Sequence, residues 1–236
     1  MTPEEQSVAD EAIKYIKVHK NDLIARFADT TTYPKVPTPV TVFMAGSPGA
    51  GKTEFSKRFI GRFEKKFPVK IVRIDPDEIR TMIPGYTGAN SFLVQGACAV
   101  GVEKLYDHTL EKKQNAIVDG TFVDYEKSAD NIRRSLKRGR EVQIYYIYQD
   151  PIIAWDFTQK REVVEGRNIP KAAFIRAFTL SRENVNKIKS EFGKQVQIHL
   201  VTKDYRNNDE DLELNIGAVD PYLKKRYSED ELNQLI

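Results

Sequence analysis

One octapeptide constrains this chain more than any other feature. Gly46-Ser47-Pro48-Gly49-Ala50-Gly51-Lys52-Thr53 follows the apolar run VTVFMA and precedes a segment carrying Phe55, Phe59 and Phe63 at helical spacing. It fits the phosphate-loop pattern G-x-x-x-x-G-K-[ST]. Glycines let successive backbone N–H groups curl around a phosphate, and the helix that opens behind them adds the positive end of its dipole. Average residue usage yields such a match in about one chain in a hundred of this length. Lys52 reaches β- and γ-phosphates in this arrangement, and the Thr53 hydroxyl is the expected Mg²⁺ ligand. A glycine-rich turn without a ligand would leave Lys52 unexplained.

The rest of the pattern fits such a loop. KIVRI ends at Asp75, AIV ends at Asp119, and VQIYYIY and VQIHLVT supply two more strand-like runs. Helical segments separate them: 91–113, 125–137, and a pair broken near Gly166 to Pro170. The alternation predicts an α/β P-loop kinase fold with a largely parallel central sheet flanked by helices. Residues 1–39 read as N-terminal helices and a linker. Thr2, Pro3 and Glu5 open the first helix, a second starts near Asn21, and TTTYPKVPTP breaks helix. Residues 40–236 read as the kinase domain. The acidic run NNDEDLE at 207–213 is expected to be a solvated loop.

Composition narrows the class. The 236 residues are 40% hydrophobic and 30% charged, an ordinary globular balance, with a net charge of +3 that neither demands nor excludes nucleic acid. The single cysteine, Cys98, excludes an internal disulfide and fits a reducing, cytoplasmic setting. The N-terminal MTPEEQ has no apolar run, so no signal peptide is expected. The longest uncharged stretch, from Thr81 to Val102, holds one proline and several glycines, too polar for a membrane span. It suits either ordinary buried packing or a pocket for a neutral base or sugar. Three scattered histidines give no zinc spacing.

The chemistry is expected beyond the carboxyl ends of the strands. Transfer of a phosphoryl group to a hydroxyl needs a carboxylate that positions the nucleophile and takes its proton. In Asp75-Pro76-Asp77, the first acid suits a helix cap and the second suits the catalytic base. Asp119 stands where an acid would support Mg²⁺ or its water. Arg161 and Arg167 lie in KREVVEGRNIP, where a mobile segment could bring them over ATP to stabilise the transferred charge. The alternative is an exposed face paired with Glu162 and Glu165. No guanine motif is present: Thr202-Lys203-Asp204-Tyr205 lacks Asp at its fourth place. A small-molecule kinase using ATP is the expectation.

Taken together, these segments resemble the zeta toxin family, P-loop kinases of toxin–antitoxin systems that phosphorylate UDP-N-acetylglucosamine on its 3′-hydroxyl. The similarity runs from the N-terminal helices to about Pro170 and more weakly beyond. GSPGAGKT matches the family's phosphate loop, IDPDEIRTMIPGY its strand-end segment with Asp77 as base, and VDGT its E-G-T. The resemblance implies ATP binding by Gly46 to Thr53 with Arg161 and Arg167. It implies acceptor contacts from Asp77, Arg80, Tyr86, Glu103, Asp119 and Thr121, and a separate antitoxin partner. The chain departs from the family at Ile83, Asp119 and Val123, all on the acceptor side. Two other readings stand beside it. One is a P-loop kinase of another acceptor: another nucleotide sugar, a nucleoside, an antibiotic or a nucleic-acid end. The other is an ATP-binding interaction module without turnover. The basic run RRSLKRGR (133–140) would serve nucleic acid, but a helix end commonly carries such charge, so neither nucleic acid nor membrane is expected as a partner.

Overall fold

β1 (Val40–Ala45) is buried along nearly its whole length, and that fixes its place. A parallel strand with no charged side chain and a single, hydrogen-bonded threonine belongs in the middle of a sheet, covered on both faces. In the computed structural model, which describes residues 1–204 and 209–236, β1 lies between β3 (Asn115–Val118) and β4 (Glu141–Gln149). Outside them lie β2 (Ile71–Ile74), β5 (Val196–Asp204) and β6 (Asp209–Glu213), in the order β2-β3-β1-β4-β5-β6. All pairings are parallel except β5 with β6. The chain therefore reverses its direction of winding around β1. The loop at the carboxyl end of β1 opens into the crevice where doubly wound folds hold ligands.

The helices follow the expected rhythm. α3 (Lys52–Lys66) opens directly after the glycine-rich loop, and α4 (Pro76–Arg80) after β2. α5 (Gln95–Glu111) starts four residues later than the sequence suggests, because 81–94 is spent on turns. In that stretch Ile83 and Val94 are buried, as are Ala97 and Cys98 on α5. α6 (Tyr125–Lys137) is capped by Asp124, α7 (Pro151–Glu165) by Asp150, and α8 (Lys171–Phe192) follows Pro170. A short α9 (Glu229–Leu235) ends the chain.

The N-terminal helices α1 (Pro3–Val18) and α2 (Lys20–Phe27) are not a loose appendage. α1 has the expected capping box from Thr2 and Glu5. Ala12, Ile16 and Leu23 join the same buried cluster as Phe43, Ile74, Ile79 and Leu105. The 30–39 linker is tied down by Gln114, whose Nε2 donates to the carbonyls of Ala28 and Tyr33 at 2.9 and 2.8 Å. No helix among the described residues is long and apolar enough to cross a membrane.

One expectation is overturned. Asp209 to Glu213 form β6 rather than a loop, while 207 and 208 lie outside the described residues. Pairing with the open side of β5 satisfies backbone groups that low β-propensity would otherwise leave to water, and acidic side chains suit a strand at the sheet edge. In the basic run at 133–140, Arg133, Lys137 and Arg138 are exposed, while Arg134 is half-buried and Arg140 buried. Arg133 pairs with Glu191 at 2.7 Å, Arg134 with Glu103 at 2.5 Å and also with Asp107.

Arg140 is 3% exposed and has no carboxylate partner among the described residues; it donates to Thr41 Oγ1 and to the carbonyls of Thr109, Val40 and Gln114. Burial lowers its pKa to about 10. Its guanidinium joins β1, β4 and the end of α5 at the edge opposite the loop. Arg140→Met should cost about 3 kcal/mol, since several buried carbonyls lose their donors. An unchanged urea midpoint would show that those carbonyls find other partners.

Candidate active site

The loop from Gly46 to Thr53 is held from beneath. Gly51 adopts φ 85° and caps α3. Lys52 folds back, donating from Nζ to the carbonyls of Gly46 (2.9 Å) and Ser47 (2.6 Å). Enclosure lowers its pKa to about 8, against the raising pull of Asp119 and Asp77. Ser47 and Ala50 are buried, Pro48 and Thr53 half-buried. A Cβ at Gly49 would lie 2.0 Å from the Ala154 carbonyl and 2.8 Å from Thr158 Oγ1, so only glycine lets α7 close on the loop. At the other end of the loop, Lys203 Nζ donates to the Gly51 carbonyl at 3.0 Å.

Asp75 and Asp77 divide their work. Asp75 Oδ1 accepts the Asp77 amide at 2.8 Å and so caps α4. That leaves the Asp77 carboxylate in the first turn, where it meets cations from three directions. Arg161 donates to Oδ2 at 2.7 Å, Arg167 to both oxygens at 2.7 Å, and Arg80 to Oδ1. Burial raises the Asp77 pKa, but Arg167, Arg161 and Arg80 outweigh it and hold the group below its ordinary value. Arg80 is 1% exposed; Gln95 on α5 holds its other nitrogen at 2.7 Å, and its guanidinium stands 6.0 Å from the Tyr86 ring centroid.

The two remote arginines arrive by local capping. α7 stops at Glu165 because Gly166 turns left-handed at φ 69° and returns its N–H to the Glu162 carbonyl at 2.7 Å. Arg161 is braced by Glu165 at 2.7 Å. Arg167 follows the turn. The 85–90 loop packs under this end: a Cβ at Gly88 would lie 2.2 Å from the Glu165 carbonyl.

A second cluster surrounds Asp119. Its Oδ2 accepts from Ser56 Oγ (3.1 Å) and Arg73 Nη2 (2.5 Å), and Arg73 also pairs with Asp75 and Glu78, each at 2.5 Å. Burial raises the Asp119 pKa to about 6, against the pull of Arg73. Its Oδ1 is buried and has no hydrogen-bond partner among the described residues. That orphaned acceptor beside the loop fits a water of a bound Mg²⁺, with Thr53 at the helix opening as the direct ligand. No cluster of three or more His, Cys, Asp or Glu able to hold a metal occurs among the described residues. A phosphate-borne Mg²⁺ needs none, because phosphate oxygens and waters supply most of its ligands.

The structure thus brings Lys52, Asp77, Arg80, Tyr86, Arg161 and Arg167 into one neighbourhood. The backbone of Thr121 joins the loop, its carbonyl receiving the Gly46 amide at 3.3 Å. Glu103 is placed apart from Asp77. It lies eight residues beyond Gln95, about 12 Å further along α5, and bonds Arg134 at 2.5 Å. Of the departures, Ile83 is 4% exposed in the core, and Val123 contributes a carbonyl held by Asn184. Sequence reasoning missed Arg73, Gln95, Ser56, Lys203 and Asn184. Arg73 alone gave a signal, as a charge inside an apolar strand run.

The zeta toxin family model matches residues 24–214. The chain belongs to the zeta toxin family. No curated protein matches it. Among solved structures it is similar to a chain of the PezAT chromosomal toxin–antitoxin system of Streptococcus pneumoniae. That match has a TM-score of 0.68 at 18% identity and covers 100% of this chain and 93% of the other. It is also similar to a chain of the AvrRxo1-ORF1:-ORF2 structure with ATP, at TM-score 0.61 and 14% identity, covering 92% and 70%. At such identities the likeness extends to the fold, a P-loop kinase architecture with a mostly parallel sheet.

The ion pairs on Asp77 set a pH dependence. Because its folded pKa is lowered, their contribution is present above the unfolded value near pH 4 and is lost as pH falls through the lowered one. Asp77→Ala should cost about 2 kcal/mol near pH 7, by leaving Arg80 buried with one neutral partner, and less at about pH 3. Urea unfolding at both pH values measures this; an equal cost would mean the arginines do not hold the carboxylate. Gly88→Ala should push the Arg161–Arg167 segment outward and speed proteolytic cleavage around residues 163–168. Unchanged cleavage would show that the 85–90 loop yields instead.

Proposed function

We propose that this protein is an ATP-dependent kinase of zeta-toxin type that phosphorylates a hydroxyl of a UDP-amino sugar, the 3′-hydroxyl of UDP-N-acetylglucosamine. In this reading it is a toxin restrained by a separate antitoxin protein and working in the cytoplasm. The observation that carries the proposal is the convergence of Arg161, Arg167 and Arg80 on the Asp77 carboxylate beside the Gly46–Thr53 loop. Family membership supports it, as does the toxin–antitoxin origin of the structural relative from Streptococcus pneumoniae.

The chemistry follows from who holds what. Without nucleotide, Asp77 occupies the guanidinia that a transferring phosphoryl group would need. ATP phosphates lying along the loop amides compete for Arg161 and Arg167 and draw them off the carboxylate. Arg80, fixed by burial and by Gln95, stays and keeps Asp77 ionised and oriented. The freed carboxylate oxygen then accepts the proton of the acceptor hydroxyl as the hydroxyl oxygen bonds to the γ-phosphorus and the bond from the γ-phosphorus to the β-phosphate oxygen breaks, releasing ADP. Lys52 and the two arginines hold the charge spread over the transferred group. Mg²⁺, held by Thr53 and by water to Asp119, would neutralise charge on the β- and γ-phosphates. Tyr86, Glu103 and Thr121 are the remaining acceptor-side candidates carried by the family resemblance.

Purified protein with Mg-ATP and a panel of UDP-sugars, nucleosides and an oligonucleotide, read by mass spectrometry, tests this. A phosphorylated UDP-amino sugar is expected. Asp77→Ala should lower the rate by about 10²–10⁴ and Arg167→Ala by about 10³ or more. ATP binding without transfer to any UDP-sugar would assign the acceptor elsewhere, in keeping with the departures at Ile83, Asp119 and Val123. Host toxicity that persists in Asp77→Ala without turnover would favour an interaction module.

A further inference from the structure

Between Asp119 and the Asp124 cap of α6, the chain passes through a strained residue. Phe122 has φ 65°, the left-handed region that a bulky side chain disfavours sterically. Such a conformation persists only where the surroundings over-determine it. Two fastenings do so after Thr121. The Phe122 ring is buried, with its centroid 6.2 Å from that of Phe43 on β1. Asn184, in the middle of α8 and 7% exposed, donates from Nδ2 to the carbonyls of Phe122 (3.0 Å) and Val123 (2.7 Å). Before Phe122 the segment is fixed elsewhere: the Asp119 amide bonds the Ile74 carbonyl at 2.9 Å, and the Thr121 carbonyl receives the Gly46 amide.

The twist at Phe122 therefore joins two anchored halves. One half is aligned with β2 and the phosphate loop, the other with α8, the helix that begins four residues after Arg167. An asparagine serves here because one amide group presents two N–H donors to two adjacent carbonyls. We infer that Asn184 is a positioning residue: by locking Phe122 in the left-handed conformation, it sets Asp119 and Thr121 against the phosphate loop. The inference rests on the proposed kinase reading for its functional consequence, but not for its geometry.

The test pairs Asn184→Ala with substitutions at Phe122. Asn184→Ala should lower kcat/KM for the acceptor about tenfold, as expected for misplaced binding groups, with nucleotide affinity changed less than about twofold. The deciding comparison is made in the Asn184→Ala background. Phe122→Gly and Phe122→Ala lose the same ring, but glycine adopts φ 65° without steric cost. Phe122→Gly should therefore exceed Phe122→Ala in kcat/KM by about fivefold. Alanine at φ 65° also lowers the stability of the native state, so the folded fraction of each variant is measured by urea unfolding and kcat/KM is compared per folded protein. Equal values would overturn the inference.

Amide hydrogen exchange of Gly46 and of residues 119–123, without nucleotide or acceptor, provides a readout independent of turnover. Protection should fall in Asn184→Ala and return in part with Phe122→Gly; unchanged protection in Asn184→Ala would overturn the inference as well. If the unmodified protein phosphorylates no acceptor, the kinase reading fails while the exchange result still decides the role of Asn184. Should Asn184→Ala not fold, Asn184→Asp keeps the shape, removes the donors, and is read the same way.

Discussion

The site is organised by one carboxylate facing more positive charge than it can neutralise. Asp77 meets the guanidinia of Arg80, Arg161 and Arg167, so the cluster carries surplus positive charge even with the carboxylate in place. Opposite charges about 4 Å apart attract by about 4 kcal/mol at the effective dielectric near a protein surface, less where a partner is as exposed as Arg161; the Gly166 turn ends α7, and these contacts hold that end against Asp77. Arg80 differs from the other two. It is buried and braced by Gln95, whereas Arg161 is exposed and Arg167 half-buried on a turn. The fixed cation orients the acid; in the proposed mechanism the other two move to the nucleotide phosphates.

A second charge centre, one turn of chain away, behaves differently. Arg73 gathers Asp75, Glu78 and Asp119 with Ser56. It keeps several acids close together at the ends of β2 and β3, and opposes the burial that raises the pKa of Asp119. Separation of the two centres depends on the Asp75 cap, which commits one acid to the backbone and leaves the next free to face Arg161 and Arg167. Packing holds this arrangement in place: Gly49 admits α7 to within contact of the loop, Gly88 admits the end of α7, and Asn184 ties the connection between β3 and α6 to α8.

The sequence by itself determined a good deal. Strand-loop-helix order, the phosphate loop, the β2 and β3 end positions of the acids and the break between α7 and α8 were all legible, because each is a local matter of apolar run length, glycine freedom or capping. The division of Asp75 from Asp77 was legible for the same reason, since an acid just before a helix start caps it. β6 was not legible, since an acidic run becomes a strand only when a neighbouring edge offers it partners. What tertiary structure alone decided was partnership at a distance: Arg161 and Arg167 reaching Asp77 some 84 and 90 residues away, Arg73 joining Asp119, and Asn184 holding Phe122 in a conformation no local preference would choose. Ion pairs and side-chain hydrogen bonds carry no period along the chain, so no spacing announces them; they exist only once the sheet has set the strand ends side by side.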